Sequence, residues 1–247
     1  MLASDVKFVD AHVEPVRVND QVLIGQKVTL TLPHKGTVTN YVVKPESHPK
    51  ATILVFHEWW GLNENIMATC DSIYRALDQS VTVIGVDLYS GFVTQERKEA
   101  AAFMDKVNDA HARMVIEATL ATVGMDQKIG TVGWCFGGGW SLQSSIIAGD
   151  RAAACVIYYG MPELQQDPLK KLHAPVLGIY ATKDDWITPE LVSKFETAMK
   201  EAKKQLTVQN YVGVHAFANP SNPSHDVTAT ADAFKRTIDF FTQHLIK

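Results

Sequence analysis

The sequence predicts an α/β protein built on a mostly parallel sheet with helices on both faces. Two observations carry this: apolar, strand-like runs alternate with stretches of helical spacing, and the chemically capable residues fall just beyond the runs. Length and composition agree with it. A chain of 247 residues, 46% apolar and 20% charged, suits one large α/β domain over 1–247 rather than two small ones. Within it, residues 1–37 read as an N-terminal extension and hairpin, and 38–247 as the core.

Taken in order, Val28–Leu32 and Thr39–Lys44 flank the turn-like His34-Lys-Gly36 and predict an N-terminal β-hairpin. Ala51–His57 is continuously apolar, as expected of a strand covered on both faces. A helix is expected within Glu64–Gln79, and a buried strand over Val81–Asp87. The stretch Thr94–Val123 repeats apolar residues at helical spacing and predicts one or two helices. Lys128–Gly133 is the next strand, followed by a tight turn and a helix over Phe136–Ala148. Ala152–Tyr159 and Pro175–Ala181 are further buried strands. Thr188-Pro189 combines a capping hydroxyl with proline in the first turn, so a helix starts there and runs to about Lys204. A last strand, Leu206–Val212, and a helix over Val227–Leu245 complete the chain.

Composition excludes several classes. A net charge of −4 argues against nucleic acid or an anionic membrane as the main partner. No segment approaches the roughly 18 uninterrupted apolar residues of a membrane span. The first residues lack the basic-then-apolar pattern of a secretion signal. Three widely spaced cysteines make neither a disulfide framework nor a spaced zinc motif. A cytoplasmic location is therefore expected, or a periplasmic one if a leader has been removed, with a monomer or weak homo-oligomer as the working form.

The most informative stretch is Gly133-Trp-Cys135-Phe-Gly137-Gly. A strand, a sharp turn and a helix with a thiol at the apex form the nucleophile elbow of α/β-hydrolases, with cysteine where serine is usual. A nucleophile on such a turn is strained, and small neighbours let backbone approach it. The helix N-terminus favours both a thiolate and a developing oxyanion. A phosphate loop fits less well, because the Gly-Lys-Ser/Thr ending and the Gly-x-Gly-x-x-Gly spacing are missing. Cys70 and Cys155 lie inside a predicted helix and strand and read as packing residues.

Other strand ends supply partners. His57-Glu58 follows one run, Asp87-Leu-Tyr89 the next, Lys183-Asp184-Asp185 a later one, and His215 the last. Nucleophile, acid and histidine in that chain order match an α/β-hydrolase triad. His215 would act as base toward Cys135, and the acid would orient its ring. Asp184 and Asp185 are both available, and either could simply shape a turn. Asp185, in Asp-Trp-Ile-Thr-Pro189, is preferred. Asp87 reads as a residue that shapes its strand end.

The combination of His57-Glu-Trp-Trp-Gly-Leu-Asn63, Asp87-Leu-Tyr89, Gly-Trp-Cys135-Phe-Gly-Gly, Asp185-Trp-Ile-Thr-Pro189 and His215-Ala-Phe217 resembles the dienelactone hydrolase family from about Val38 onward. The resemblance implies a triad of Cys135, Asp185 and His215, and an oxyanion hole from the backbone N–H groups of Phe136 and Trp59. It implies that Glu58 contacts the resting thiol and moves when substrate arrives. A carboxylate beside a thiol also disfavours the thiolate on electrostatic grounds, so Glu58 reads as a gate. A small ester or lactone is the implied substrate, with neither metal nor organic cofactor. The two arginines that hold the substrate carboxylate in the family correspond here to Gly91 and Asn219. Trp60, Tyr89, Trp134 and Phe217, together with Trp59 and Phe92, are therefore expected to form an aromatic pocket, with Asn219 at its edge. The alternative is a non-catalytic hydrolase-fold protein that binds a small ligand or partner, with His215 out of reach of Cys135.

Overall fold

The computed structural model describes residues 4–12, 22–33 and 36–247. A short helix, α1 (Val6–Ala11), precedes an antiparallel pair, β1 (Gln26–Leu32) and β2 (Gly36–Val43). The hairpin is present as expected, but Gly36 opens β2 rather than closing the turn. His34 and Lys35, the rest of the expected turn, lie outside the described residues.

The core then alternates: β3 (Ala51–Phe56), α2 (Glu64–Ala76), β4 (Thr82–Val86), α3 (Arg97–Lys106), α4 (Asp109–Leu120), β5 (Lys128–Trp134), α5 (Phe136–Ala148), β6 (Ala152–Tyr158), α6 (Gln166–Lys170), β7 (Val176–Ala181), α7 (Pro189–Glu201), β8 (Leu206–Tyr211) and α8 (Val227–Phe241). The eight strands form one sheet in the order β1-β2-β4-β3-β5-β6-β7-β8. From β4 to β8 every pairing is parallel; β2 joins β4 antiparallel. This is an α/β-hydrolase fold.

Central strands are covered on both faces, which is why β3 and β7 are buried at every residue. Alternation sorts them between two layers. Ile53, Val55, Val132, Val156 and Ile179 pack with α2 and α8 on one face. Leu54, Phe56, Ile129, Cys155 and Ile157 turn to the other, toward α4, α5 and α7. β8 is half-exposed, as an edge strand should be.

Boundaries moved for identifiable reasons. The expected helical stretch over 94–123 splits into α3 and α4 because Asn108 caps the second helix, its side chain accepting from the His111 amide at 2.8 Å. Strands expected to include His57 and Asp87 stop at Phe56 and Val86 because both polar side chains are committed elsewhere at the strand ends. α7 stops at Glu201, and α8 passes at Thr242 into a short π-helical turn ending at Ile246. α1 and α6 were not expected from the sequence.

Candidate active site

The elbow forms where β5 passes into α5. Cys135 has φ 53° and ψ −117°, a region that costs a non-glycine residue about 1–3 kcal/mol. Its amide donates to the Tyr158 carbonyl at 3.0 Å, pinning the turn to the end of β6. Both neighbouring glycines are required by close backbone approach. A Cβ on Gly133 would lie 2.0 Å from the Gly137 carbonyl oxygen, and one on Gly137 would lie 2.3 Å from that of Phe56.

His215 follows β8. Its Nε2 lies 3.2 Å from Cys135 Sγ, and its Nδ1 donates to Asp184 Oδ2 at 2.7 Å. The carboxylate that meets His215 is therefore Asp184, and the expectation for Asp185 is corrected. The turn after β7 carries the Asp184 side chain inward, where Oδ1 accepts from the amides of Trp186 and Ile187, each at 2.9 Å. Asp185 points to solvent. Counting back from Pro189 located the loop but not which of two adjacent acids faces in. Burial would push the Asp184 carboxyl up, but the His215 hydrogen bond and charge, with the two amides, hold it below the usual carboxylate range.

Around the thiol the field is opposed to ionisation. Burial raises the Cys135 pKa, the carboxylate of Glu58 raises it further, and only the Phe136 amide acts the other way. That amide already faces the sulfur, which fits an oxyanion donor. The Trp59 backbone lies in the turn after β3, two residues beyond His57, whose carbonyl approaches Gly137 in the first turn of α5. Glu58 is half-buried, its own pKa raised to about 7 by desolvation, and its Oε2 accepts from Asn219 Nδ2 at 2.6 Å. His57, the neighbouring candidate, is structural. Its Nδ1 donates to the Glu58 carbonyl at 2.6 Å and its Nε2 accepts from the Leu88 amide at 3.2 Å, joining the ends of β3 and β4. Asp87 shapes its strand end as expected, accepting from the amides of Tyr89 and Gly91.

Cys135 and His215 open onto a cavity of about 390 Å³. Phe8, Phe136, Tyr159 and Ile187 give its lining apolar character, and Asp109, Arg113, Gln143 and Glu163 give it polar character. None of Trp60, Tyr89, Trp134, Phe217 or Asn219 lines it, so the expected aromatic pocket is corrected. Trp60, Tyr89 and Phe217 fill the core between strand ends. Trp134 stacks on Tyr158 at 5.0 Å and, with Asn219, borders a separate pocket of about 60 Å³ on the Glu58 side. Large aromatics close to a site in sequence are as readily used to wedge elements together as to line the cavity.

Two contributors were missed. Tyr159, at φ 37°, follows β6 and places its ring 5.2 Å from that of His215. The strand-end rule applied to β6 would have found it. The other comes from α1. Phe8 is fully buried, its ring 5.4 Å from Trp59 and 5.8 Å from His215. His12, which ends α1, lies with its ring 4.6 Å from Trp59 and 5.5 Å from His215. Its Nδ1 donates to the Phe8 carbonyl at 2.6 Å. Burial, and then His215, lower its pKa to about 4. No sequence signal marks a short N-terminal helix as part of a site formed 200 residues later.

A cysteine at a strand–elbow–helix turn, a histidine after the last strand and an acid hydrogen-bonded to it are the layout of a hydrolase of the α/β-hydrolase fold. The model described as the dienelactone hydrolase family matches residues 38–245, and the chain belongs to that family. It is thereby placed among carboxylic ester and lactone hydrolases. Relatives include protein usf of Aquifex pyrophilus, 27% identical over 78% of this chain and 88% of that one. Another is carboxymethylenebutenolidase 1 of Cupriavidus pinatubonensis, 26% identical over 88% of this chain and 96% of that one. Among solved structures, a dienelactone hydrolase-like promiscuous phosphotriesterase from metagenomic libraries superposes with a TM-score of 0.73. It is 20% identical, covering 89% of this chain and 98% of that one.

Proposed function

We propose that this protein is a cysteine-dependent hydrolase of a small ester or lactone, with Cys135 as nucleophile, His215 as base and Asp184 as its orienting acid. The observation that carries the reading is the continuous line from Cys135 Sγ to His215 Nε2 (3.2 Å) and from His215 Nδ1 to Asp184 Oδ2 (2.7 Å), open to the cavity. With Nδ1 committed as a donor, Nε2 is the basic nitrogen and faces the thiol.

In acylation Sγ attacks the carbonyl carbon while its proton passes to His215 Nε2. The Phe136 and Trp59 amides take up the developing oxyanion charge. As the C–O bond breaks, His215 returns the proton to the leaving oxygen, or to the ring oxygen of a lactone. Water then attacks the thioester, giving its proton to His215, which passes it to Sγ as the C–S bond breaks. Glu58 disfavours the thiolate at rest, so Cys135 stays protonated until substrate displaces water from the cavity or Glu58 moves. Among the described residues lining the cavity Arg113 is the one lysine or arginine, which suits a substrate with an apolar acyl part and a polar or anionic group elsewhere.

The 3.2 Å contact weighs against the non-catalytic reading, whose expected signature is a separated pair. Intact mass after incubation with an activated ester decides between them. The expected result is turnover or a single acyl adduct on Cys135, and Cys135→Ala should lose about ten-thousandfold in kcat/KM. Full activity in that variant would remove the assignment. A panel of esters, lactones, thioesters and a phosphotriester then ranks substrates.

A further inference from the structure

His215 is not the only imidazole beside the Cys135 sulfur. His12, Cys135 and His215 are all buried, and one donor atom of each lies within 4.8 Å of the others. His12 Nε2 has no hydrogen-bond partner among the described residues and is shielded from solvent. An imidazole nitrogen held dry and unpaired beside a thiol is costly unless something is to be bound there.

We infer that His12, Cys135 and His215 form a binding site for a thiophilic divalent cation of the zinc type, which clamps α1 over the nucleophile and silences it. The donor set is two imidazoles and one thiolate, and zinc is commonly bound by three protein ligands with a fourth position left for water. Here the cavity supplies that fourth position. The outer contacts match those of metal-binding histidines, whose second nitrogen donates to a carboxylate or a backbone carbonyl. His215 Nδ1 donates to Asp184, and His12 Nδ1 donates to the Phe8 carbonyl. Both rings are thereby fixed with Nε2 as the free donor. Binding replaces the thiol proton, which leaves to solvent, with one metal–sulfur bond; no electrons are transferred. The ligands are separated by 123 and 80 positions in the chain, so the ion would tie the N-terminal helix to the elbow and to the loop after β8.

The site does not depend on the hydrolase reading, and its test reads metal rather than turnover. The full chain, stripped with chelator, is titrated with cobalt(II) and followed by absorption. A thiolate-to-cobalt charge-transfer band with visible bands of tetrahedral intensity, saturating at one equivalent, is expected. Zinc should displace the cobalt stoichiometrically. His12→Gln and Cys135→Ser should each weaken zinc by about a hundredfold in chelator competition. Because α1 lies outside the sheet, circular dichroism of His12→Gln checks that the fold is retained. Zinc should also slow amide exchange in residues 6–12 of the wild-type chain and not of His12→Gln. Absence of the charge-transfer band in the wild-type chain, or unchanged zinc affinity in a folded His12→Gln variant, overturns the proposal.

Discussion

At the scale of single residues, the decisive distinction is between two adjacent acids. Asp184 is buried against His215 and Asp185 faces solvent, although the sequence shows them as equivalent turn residues. Asp184→Asn should lower kcat by about a thousandfold or more, because an amide can present its NH₂ to Nδ1 and select the wrong tautomer. Asp185→Asn should leave kcat within about twofold of wild type, as expected of a surface change. Equal losses in both, measured by steady-state kinetics, would contradict the assignment. Glu58 gives a second test. Glu58→Gln keeps a carbonyl oxygen for Asn219 but removes the charge that disfavours the thiolate. Alkylation of Cys135 by iodoacetamide at pH 8 should then be about three- to tenfold faster than in wild type. At pH 5.5, where Glu58 is largely protonated in the wild type, the two rates should converge.

At the scale of elements, α1 docks through the Phe8 and His12 rings against Trp59, Trp186 and His215, with Val9 also on the core and Arg97 of α3 donating to the Asp10 carbonyl. Phe8→Ala removes a side chain of a kind that contributes about 3–5 kcal/mol in a core. Because α1 lies outside the sheet, that loss should appear as local opening. Amide exchange in residues 6–12 should accelerate at least about tenfold, while β3, β5 and β6 exchange as before. Acceleration throughout the sheet would show that α1 belongs to the cooperative core instead. The elements of the core were legible in the sequence because their signals are local: continuous apolar runs for β3 and β7, and Thr188-Pro189 for α7. The elbow was equally legible, since Gly133, Cys135 and Gly137 each answer a backbone requirement. What stayed hidden depends on distant partners. Whether Trp134 lines the cavity at Cys135 or stacks on Tyr158 is decided by how β5 and β6 pair. Whether His12 joins the site is decided by where α1 comes to rest.

At the scale of the whole molecule, the half-buried, desolvated Glu58 carboxyl couples stability to pH. Its pKa rises from 4.5 to about 7 on folding. Between those values the native state holds a proton that the unfolded chain has released, so this residue's contribution falls as pH rises. The penalty is absent below about pH 4.5 and complete above pH 7, on the order of 3 kcal/mol at most. Glu58→Gln should therefore be more stable than wild type at pH 8 and similar at pH 4.5, as read from urea midpoints at each pH. A variant less stable than wild type at pH 8 would show that Asn219 needs the ionised carboxylate.

The docking of α1 also orders events during synthesis. Residues 6–12 leave the ribosome before Trp59, Trp186 and His215, the three side chains they rest against, have all been made. The earliest-made part of the site must therefore be the last to settle, after β8 has joined the sheet edge and carried His215 into place. Until then Cys135 has neither His215 nor α1 beside it. The thiol is most open to oxidants in the nascent chain, before α1 and His215 come to rest against it.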